Sequence, residues 1–149
     1  MEKERRCFRL KAWHFVLMFL LLIFLTSIAG DALSPDTTEI ENNKSLPELV
    51  PKSVNDSVAD GISFILFVDS HLYACKEMEY AINKASEEIG KDVKAFKLNV
   101  DRYPEIYKQY QIPGIPTTFV LKEGIKVDQI IGVVSASNLK FIYKKQLDN

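Results

Sequence analysis

From Ile62 onwards the sequence alternates between strand and helix patterns, and this alternation limits the fold more than any other feature. Ile62–Val68 is an almost continuous apolar run, which is typical of a strand covered on both faces. Residues 75–89 carry apolar side chains at three- and four-residue spacing, which predicts a helix that Gly90 ends. Such alternation predicts an α/β fold with parallel pairing near the centre of its sheet. The other predicted elements are strands over residues 93–100, 117–121 and 126–133 and helices over 104–110 and Ala136–Leu147.

The first 30 residues form an appendage with a different character. A basic stretch comes first, an apolar run follows over residues 12–25, and small residues stand at Ser27 and Ala29. This order predicts either a cleavable signal peptide or a membrane anchor formed by residues 12–29, and both alternatives stay open. Because the basic flank tends to stay in the cytoplasm, the rest of the chain is expected to be exported across the membrane, whether periplasmic, secreted or anchored.

Residues 31–59 are polar and contain scattered prolines, so they are predicted to be a linker with a possible first helix over 52–60. The whole chain has a formal net charge of −1 and its N-terminus is basic, so the remainder is mildly acidic. Nucleic acid is therefore not expected as a partner. Cys7 belongs to the appendage, which leaves Cys75 as the one thiol of the exported part and permits no internal disulfide there.

Short motifs add a second kind of information. An apolar strand leads into residues 67–76, Phe-Val-Asp-Ser-His-Leu-Tyr-Ala-Cys-Lys, and this segment begins a helical pattern. Further motifs are Lys-Leu-Asn-Val-Asp at 97–101, Gly-Ile-Pro-Thr at 114–117 and Lys-Glu-Gly at 122–124. From about residue 60 to the C-terminus the chain resembles the thioredoxin family. The resemblance implies a thioredoxin-like domain over 60–149, with a central mixed β-sheet flanked by helices and preceded by the signal or anchor helix.

The resemblance also assigns positions in the redox motif, where thioredoxins carry Cys-x-x-Cys. The separation of Cys75 from Pro116 fits the family without a gap, which places Leu72 at the attacking cysteine and Cys75 at the resolving cysteine. In an alternative register Cys75 is the attacking residue and Met78 replaces its partner, which requires an insertion and a matching deletion. In either register one half of the pair is missing.

The surroundings of the motif differ from those that the resemblance implies for catalysis. Leu66 stands where the family keeps a buried acid that assists proton transfer, and Val68 and His71 stand in place of its tryptophans. His71 precedes Cys75 by four residues, so a Cys-His pair is conceivable, although a partly exposed histidine is the simpler interpretation. Asp69 at the strand end is interpreted as a solvated carboxylate.

Disulfide exchange needs one thiol to attack and a second thiol to resolve the mixed disulfide. Leu72 can do neither, so we predict that the domain does not run dithiol–disulfide exchange efficiently. By resemblance, Cys75 lies deeper than the attacking position. It is interpreted either as a resolving-position thiol or as a small buried side chain at the start of a helix.

The replacements in the redox motif do not affect the peptide-binding surface that the resemblance implies. In the family, the residue before a cis-proline offers its backbone to an extended substrate segment, much as a neighbouring strand would. The resemblance therefore implies that Ile115 and Pro116, with Leu72 and Tyr73 beside them, bind a protein or peptide segment. Pro116 could instead serve only the turn before its strand.

Three functions remain open from the sequence. The first is an extracytoplasmic, redox-inactive binding or accessory module for partner proteins. The second is a single-thiol oxidoreductase in which Cys75 forms mixed disulfides with a partner or a small thiol, and the third is a purely structural domain. No cofactor or metal ion is expected, because His71 and Cys75 offer two ligands where a structural zinc needs four.

Overall fold

The computed structural model describes residues 12–31, 37–90 and 92–148. The chain divides into two compact units, Met1–Asp36 and Thr37–Asn149. The first unit contains helix α1 (Ala12–Asp31), which lies in the segment predicted to be a signal peptide or anchor. Within the three described ranges, no helix has both the length and the apolar character that a membrane span requires. The basic flank over residues 3–11, with Cys7, lies outside the described residues.

The second unit is built on a four-stranded mixed sheet. Its strands are β1 (Ile62–Val68), β2 (Val93–Asn99), β3 (Thr117–Lys122) and β4 (Ile125–Ile131). They lie in the order β2-β1-β3-β4, with β1 parallel to β2 and the other pairs antiparallel. The helices are α2 (Thr37–Glu41), α3 (Val54–Ser57), α4 (Tyr73–Ile89), α5 (Glu105–Gln109) and α6 (Ala136–Leu147), with a 3-10 turn at Pro51–Ser53. The predicted mixed sheet flanked by helices is confirmed.

Strand β1 forms the centre of the core because its side chains are buried on both faces. Phe64 and Leu66 pack on one face with side chains of α4 and α6. Ile65 and Phe67 pack on the other face with side chains of α3, β2 and α5. Each such buried side chain contributes roughly 1.5–3 kcal/mol, so the two clusters hold α4 and α6 on one side of the sheet and α5 on the other.

Most predicted elements end within two residues of the observed ones, and two of the differences have a clear local cause. Helix α4 begins at Tyr73, two residues before its predicted start, because Leu72 is extended and the Cys75 amide already donates to the Leu72 carbonyl at 3.1 Å. The helix predicted over 52–60 is shorter and irregular: the 3-10 turn leads into α3, and Gly61, with a φ of +70°, turns the chain into β1.

The residues predicted to be a linker belong to the second unit from Thr37 onwards, so the structure places the start of the domain earlier than residue 60. We call residues 37–49 the strap. Lys97 of β2 donates its amide to the Pro47 carbonyl at 2.9 Å and accepts from the Leu49 amide at 2.8 Å. The strap therefore covers part of the free edge of β2. The buried apolar side chains of the strap are Ile40, Leu46 and Leu49.

Candidate functional site

The end of β1 and the start of α4 bring together the residues of the predicted motif. Leu72 is the N-cap residue of α4, and its side chain, which cannot cap the helix, is 41% exposed. Cys75 lies in the first turn of α4 and is only 4% exposed. An aliphatic side chain thus occupies the accessible position and the thiol lies behind it. Met78, the partner in the alternative register, is fully buried.

The surroundings of Cys75 favour the protonated thiol. Burial raises the pKa of Cys75, and although the Asp69 amide donates to its Sγ at 3.4 Å and opposes this shift, the carboxylates of Asp69, Asp101 and Glu79 raise the pKa further. A thiolate is the attacking species in disulfide exchange. At neutral pH the sulfur is therefore mostly protonated and a poor nucleophile.

The imidazole of His71 lies close to two carboxylates. Its Nδ1 lies 3.2 Å from Asp69 Oδ1 and 3.7 Å from Asp101 Oδ2, and the ring is exposed. Ser70 donates both its hydroxyl and its amide to Asp101 Oδ2, which lowers the pKa of Asp101. Among the described residues, the hydrogen-bond partner of Cys75 Sγ is the Asp69 amide and not His71. The conceivable Cys-His pair is therefore absent, and the simpler interpretation of an exposed histidine describes the structure.

The same three groups form the one cluster of metal-ligating side chains found among the described residues. The ligand atoms of Asp69, His71 and Asp101 lie within 4.8 Å of one another. Asp69 is half-buried and the other two are exposed, and the cluster is already hydrogen-bonded internally and to Ser70. Exposed acidic groups of this kind are common without an ion, so the cluster does not define a metal site.

Pro116 lies at the same end of the sheet as the motif, because Phe67 at the end of β1 pairs with Thr117 at the start of β3. The Ile115–Pro116 bond is cis, and the Pro116 carbonyl accepts from the Gly132 amide at 2.8 Å. Within the part of the chain that the structure describes, neither the N–H nor the C=O of Ile115 has a hydrogen-bond partner. Ile115 therefore presents a free donor and a free acceptor beside the cis-proline.

Exposed apolar side chains lie at the same end of the sheet as this free backbone. Tyr73, at the start of α4, is 44% exposed. Ile131, which pairs with Thr117, is 63% exposed, and Val133 follows it after Gly132. Ile131 and Val133 did not figure in the sequence-based prediction. The sequence feature that could have indicated them is Gly132, because the residues around this glycine lie next to the segment that contains Pro116.

Strand β1 leads into helix α4, whose first turn carries one of the two cysteines of the motif, and a cis-proline precedes β3. These features together define a thioredoxin-fold domain. A family model described as Thioredoxin matches residues 46–145. The chain belongs to the thioredoxin family. The first nine residues of the strap, 37–45, lie outside the matched stretch.

Individual relatives agree with this assignment. The chain is 33% identical over 73 residues to a thioredoxin of Porphyra purpurea, a stretch that covers 49% of this chain and 68% of that protein. It is 22% identical over 103 residues to a thioredoxin of Staphylococcus saprophyticus, covering 69% of this chain and 99% of that protein. Among solved structures, chloroplastic thioredoxin z matches with a TM-score of 0.64 at 17% identity, covering 72% of this chain and 98% of that one. This last likeness concerns the fold.

Proposed function

We propose that this protein is a binding or accessory module that holds an extended segment of a partner protein and does not run dithiol–disulfide exchange on it. The observation that carries the proposal is the free backbone of Ile115 at an end of the sheet that also has exposed apolar side chains, while the thiol of the motif is buried. An extended peptide can pair with such a backbone as an added strand. Side chains on either side then supply apolar contact area.

The lack of dithiol exchange follows from two properties of the motif. Leu72 has no group that can attack a disulfide, and it occupies the accessible position. Cys75 is buried and its pKa is raised, so its thiolate population at neutral pH is low. Any mixed disulfide formed at Cys75 would also need an outside thiol for release.

We also propose that the domain works on the far side of a membrane, as a periplasmic, secreted or anchored protein. The support comes from the N-terminal sequence, in which basic residues precede an apolar segment that lies within α1. The partner would be a protein or peptide in that compartment.

A second candidate function is single-thiol exchange at Cys75. One observation favours it: Cys75 helps to line a pocket, and neither Ile115 nor Pro116 is among the described residues that line it. A small molecule bound in this pocket would lie against both Cys75 and Leu72. This candidate does not require Ile115 or Tyr73.

Peptide binding at Ile115 is tested by panning a library of displayed random peptides against the full chain in detergent. We expect selected peptides to bind beside Ile115 and to lose affinity when Ile131→Asp or Tyr73→Ala is introduced. Loss of a well-packed contact at the centre of an interface typically costs about 2 kcal/mol or more, which is roughly a 30-fold rise in Kd. Kd is measured by isothermal titration calorimetry.

Ile125→Asp is the matched control, because Ile125 lies on the same strand at its other end and is 69% exposed. It should leave the Kd within about twofold, as expected of a surface change outside the interface. If all three variants bind the selected peptides equally, or if no peptide is selected, the binding proposal is refuted. The structural interpretation would then remain.

A further inference from the structure

The backbone around Ile115 is held in place from both sides. The Thr117 side chain donates its hydroxyl to the Gly114 carbonyl at 2.7 Å, and the Gly132 amide donates to the Pro116 carbonyl at 2.8 Å. The Ile115 side chain packs against both core clusters of the domain. Among the described residues, no other hydrogen bond holds Gly114, and none holds Ile115 itself. The direction of the free N–H and C=O of Ile115 therefore depends on its neighbours.

The hydroxyl of Thr117 differs from that of the next residue along β3. Thr117 and Thr118 are both fully buried. The Thr118 hydroxyl has no hydrogen-bond partner among the described residues, whereas the Thr117 hydroxyl binds the loop that carries Ile115. A buried hydroxyl without a partner makes no hydrogen bond that offsets its desolvation, so its removal is nearly neutral. The two threonines thus allow the same change at adjacent positions, with and without a contact to this loop.

A fixed loop matters for binding an extended peptide as an added strand. Hydrogen bonds weaken steeply when donor and acceptor are misaligned, so the N–H and C=O of Ile115 must both point towards the incoming backbone. A loop that moves freely also loses conformational entropy when the peptide binds, and this loss lowers affinity. The stretch from Ile112 to Pro116 belongs to neither a helix nor a strand. Its order therefore has to come from contacts such as the one from Thr117.

We propose that Thr117 is a positioning residue of the peptide site, and that its hydroxyl sets the direction of the Ile115 backbone through the Gly114 carbonyl. The inference rests on the proposed peptide binding and adds to it a residue that the peptide does not touch, because Thr117 is fully buried. The hydrogen bond closes a short loop from Gly114 to Thr117, with Ile115 inside it. Without the hydroxyl, Ile115 is held by its side chain and by the Pro116 carbonyl, and Gly114 loses its restraint.

The experiment measures how tightly variants of the full chain in detergent bind one synthetic, cysteine-free peptide selected from the displayed library, by isothermal titration calorimetry. Thr117→Val keeps the shape of the side chain and removes the hydroxyl, so we expect Kd to rise at least about fivefold, as for the loss of one ordinary hydrogen bond. Thr117→Ser keeps the hydroxyl and should hold Kd within about twofold of the natural chain. Thr118→Val is the matched control and should also stay within about twofold.

A second control separates positioning from a general loss of stability. Glu79 accepts hydrogen bonds from the strap and from Lys97, and its partners do not include the loop of Ile115. Glu79→Ala should therefore lower the free energy of unfolding, measured by urea denaturation, and leave Kd within about twofold. A purely structural role of Thr117 would instead make Kd follow stability in every variant.

Three results would each overturn the proposal. Thr117→Val could bind as the natural chain does, Thr117→Ser could bind as weakly as Thr117→Val, or one of the two controls could weaken binding as much as Thr117→Val. In each case the peptide still binds the natural chain, so peptide binding at Ile115 would stand. If no peptide is selected at all, both proposals are refuted.

Discussion

Replacing Leu72 with cysteine is expected to give this protein measurable disulfide reductase activity. Leu72 is the N-cap residue of the 17-residue helix α4 and is accessible, and Cys75 follows three residues later with its sulfur behind it. A thiol at a helix N-terminus gains stabilisation of its thiolate from the backbone N–H groups and the helix dipole. We expect Leu72→Cys to reduce insulin with dithiothreitol at least about tenfold faster than the natural chain.

Two further variants separate this mechanism from a general effect of an added thiol. Leu72→Ser places a polar group of similar size to cysteine at the same position and should stay inactive. Leu72→Cys combined with Cys75→Ser keeps the attacking thiol but removes the resolving one, so it should form mixed disulfides without turnover. Absence of activity in Leu72→Cys, together with failure to form an internal disulfide on oxidation, would show that residues 72 and 75 do not occupy the two cysteine positions of the family.

The largest effect on stability is expected at Glu79, because this one carboxylate holds the strap on the domain. Its Oε1 accepts from Lys97 Nζ at 3.1 Å, from Ser45 Oγ at 3.0 Å and from the Leu46 amide at 2.5 Å. Lys97 and Glu79 are both largely buried. Glu79→Ala leaves the Lys97 ammonium without its carboxylate partner, although Lys97 still donates to Ser45 Oγ. We therefore expect the free energy of unfolding to fall by about 3 kcal/mol, measured by urea denaturation.

Glu87→Gln is the control for this measurement, because Glu87 lies on the same helix, is exposed and has no partner among the described residues. Its free energy of unfolding should stay within about 0.5 kcal/mol of the natural chain. Glu79→Gln keeps the shape and one acceptor, and it should therefore fall between the two. If Glu79→Ala is no more destabilising than Glu87→Gln, the strap is not anchored in the way the hydrogen bonds indicate.

Local patterns in the sequence were sufficient to predict most of the fold. Strand β1 and helix α6 have the predicted bounds, because the burial of each follows directly from its own periodicity. The mixed β-sheet flanked by helices followed from the resemblance and is confirmed. The observed bounds of α4 and β4 differ from the predicted ones by one or two residues. The residue at which an element begins or ends depends on backbone dihedral angles, which the side-chain pattern does not report.

The strap could not be predicted, because what orders it lies far away in the sequence. Its apolar residues, at positions 40, 46 and 49, are too widely spaced to form a helix or strand pattern. Its partners, Glu79 and Lys97, are more than thirty residues away from Ser45. Without those contacts a polar stretch with prolines has the appearance of a linker. The pocket depends on the strap and was missed for the same reason.

The parts of the candidate site that lie close together in the sequence could be predicted. The placement of Leu72 and Cys75 follows from a motif within four residues, and the structure puts one at the surface and the other inside. The orientation of His71 was not determined by sequence, since Asp101 reaches this turn from a different strand end and Ser70 binds it across 31 residues. Ile131 is exposed because it is the last residue of β4 and β4 is an edge strand, and the local sequence pattern does not report which strand lies at the edge.

The most direct measurement of the central claim is the reduction of insulin by dithiothreitol in the presence of the unmodified full chain. With an aliphatic side chain in the accessible position and the thiol shielded and protonated, the initial rate should equal that of dithiothreitol alone. A faster rate that disappears in the Cys75→Ser variant would mean that the buried sulfur turns over unaided, and the account given for this protein would be wrong.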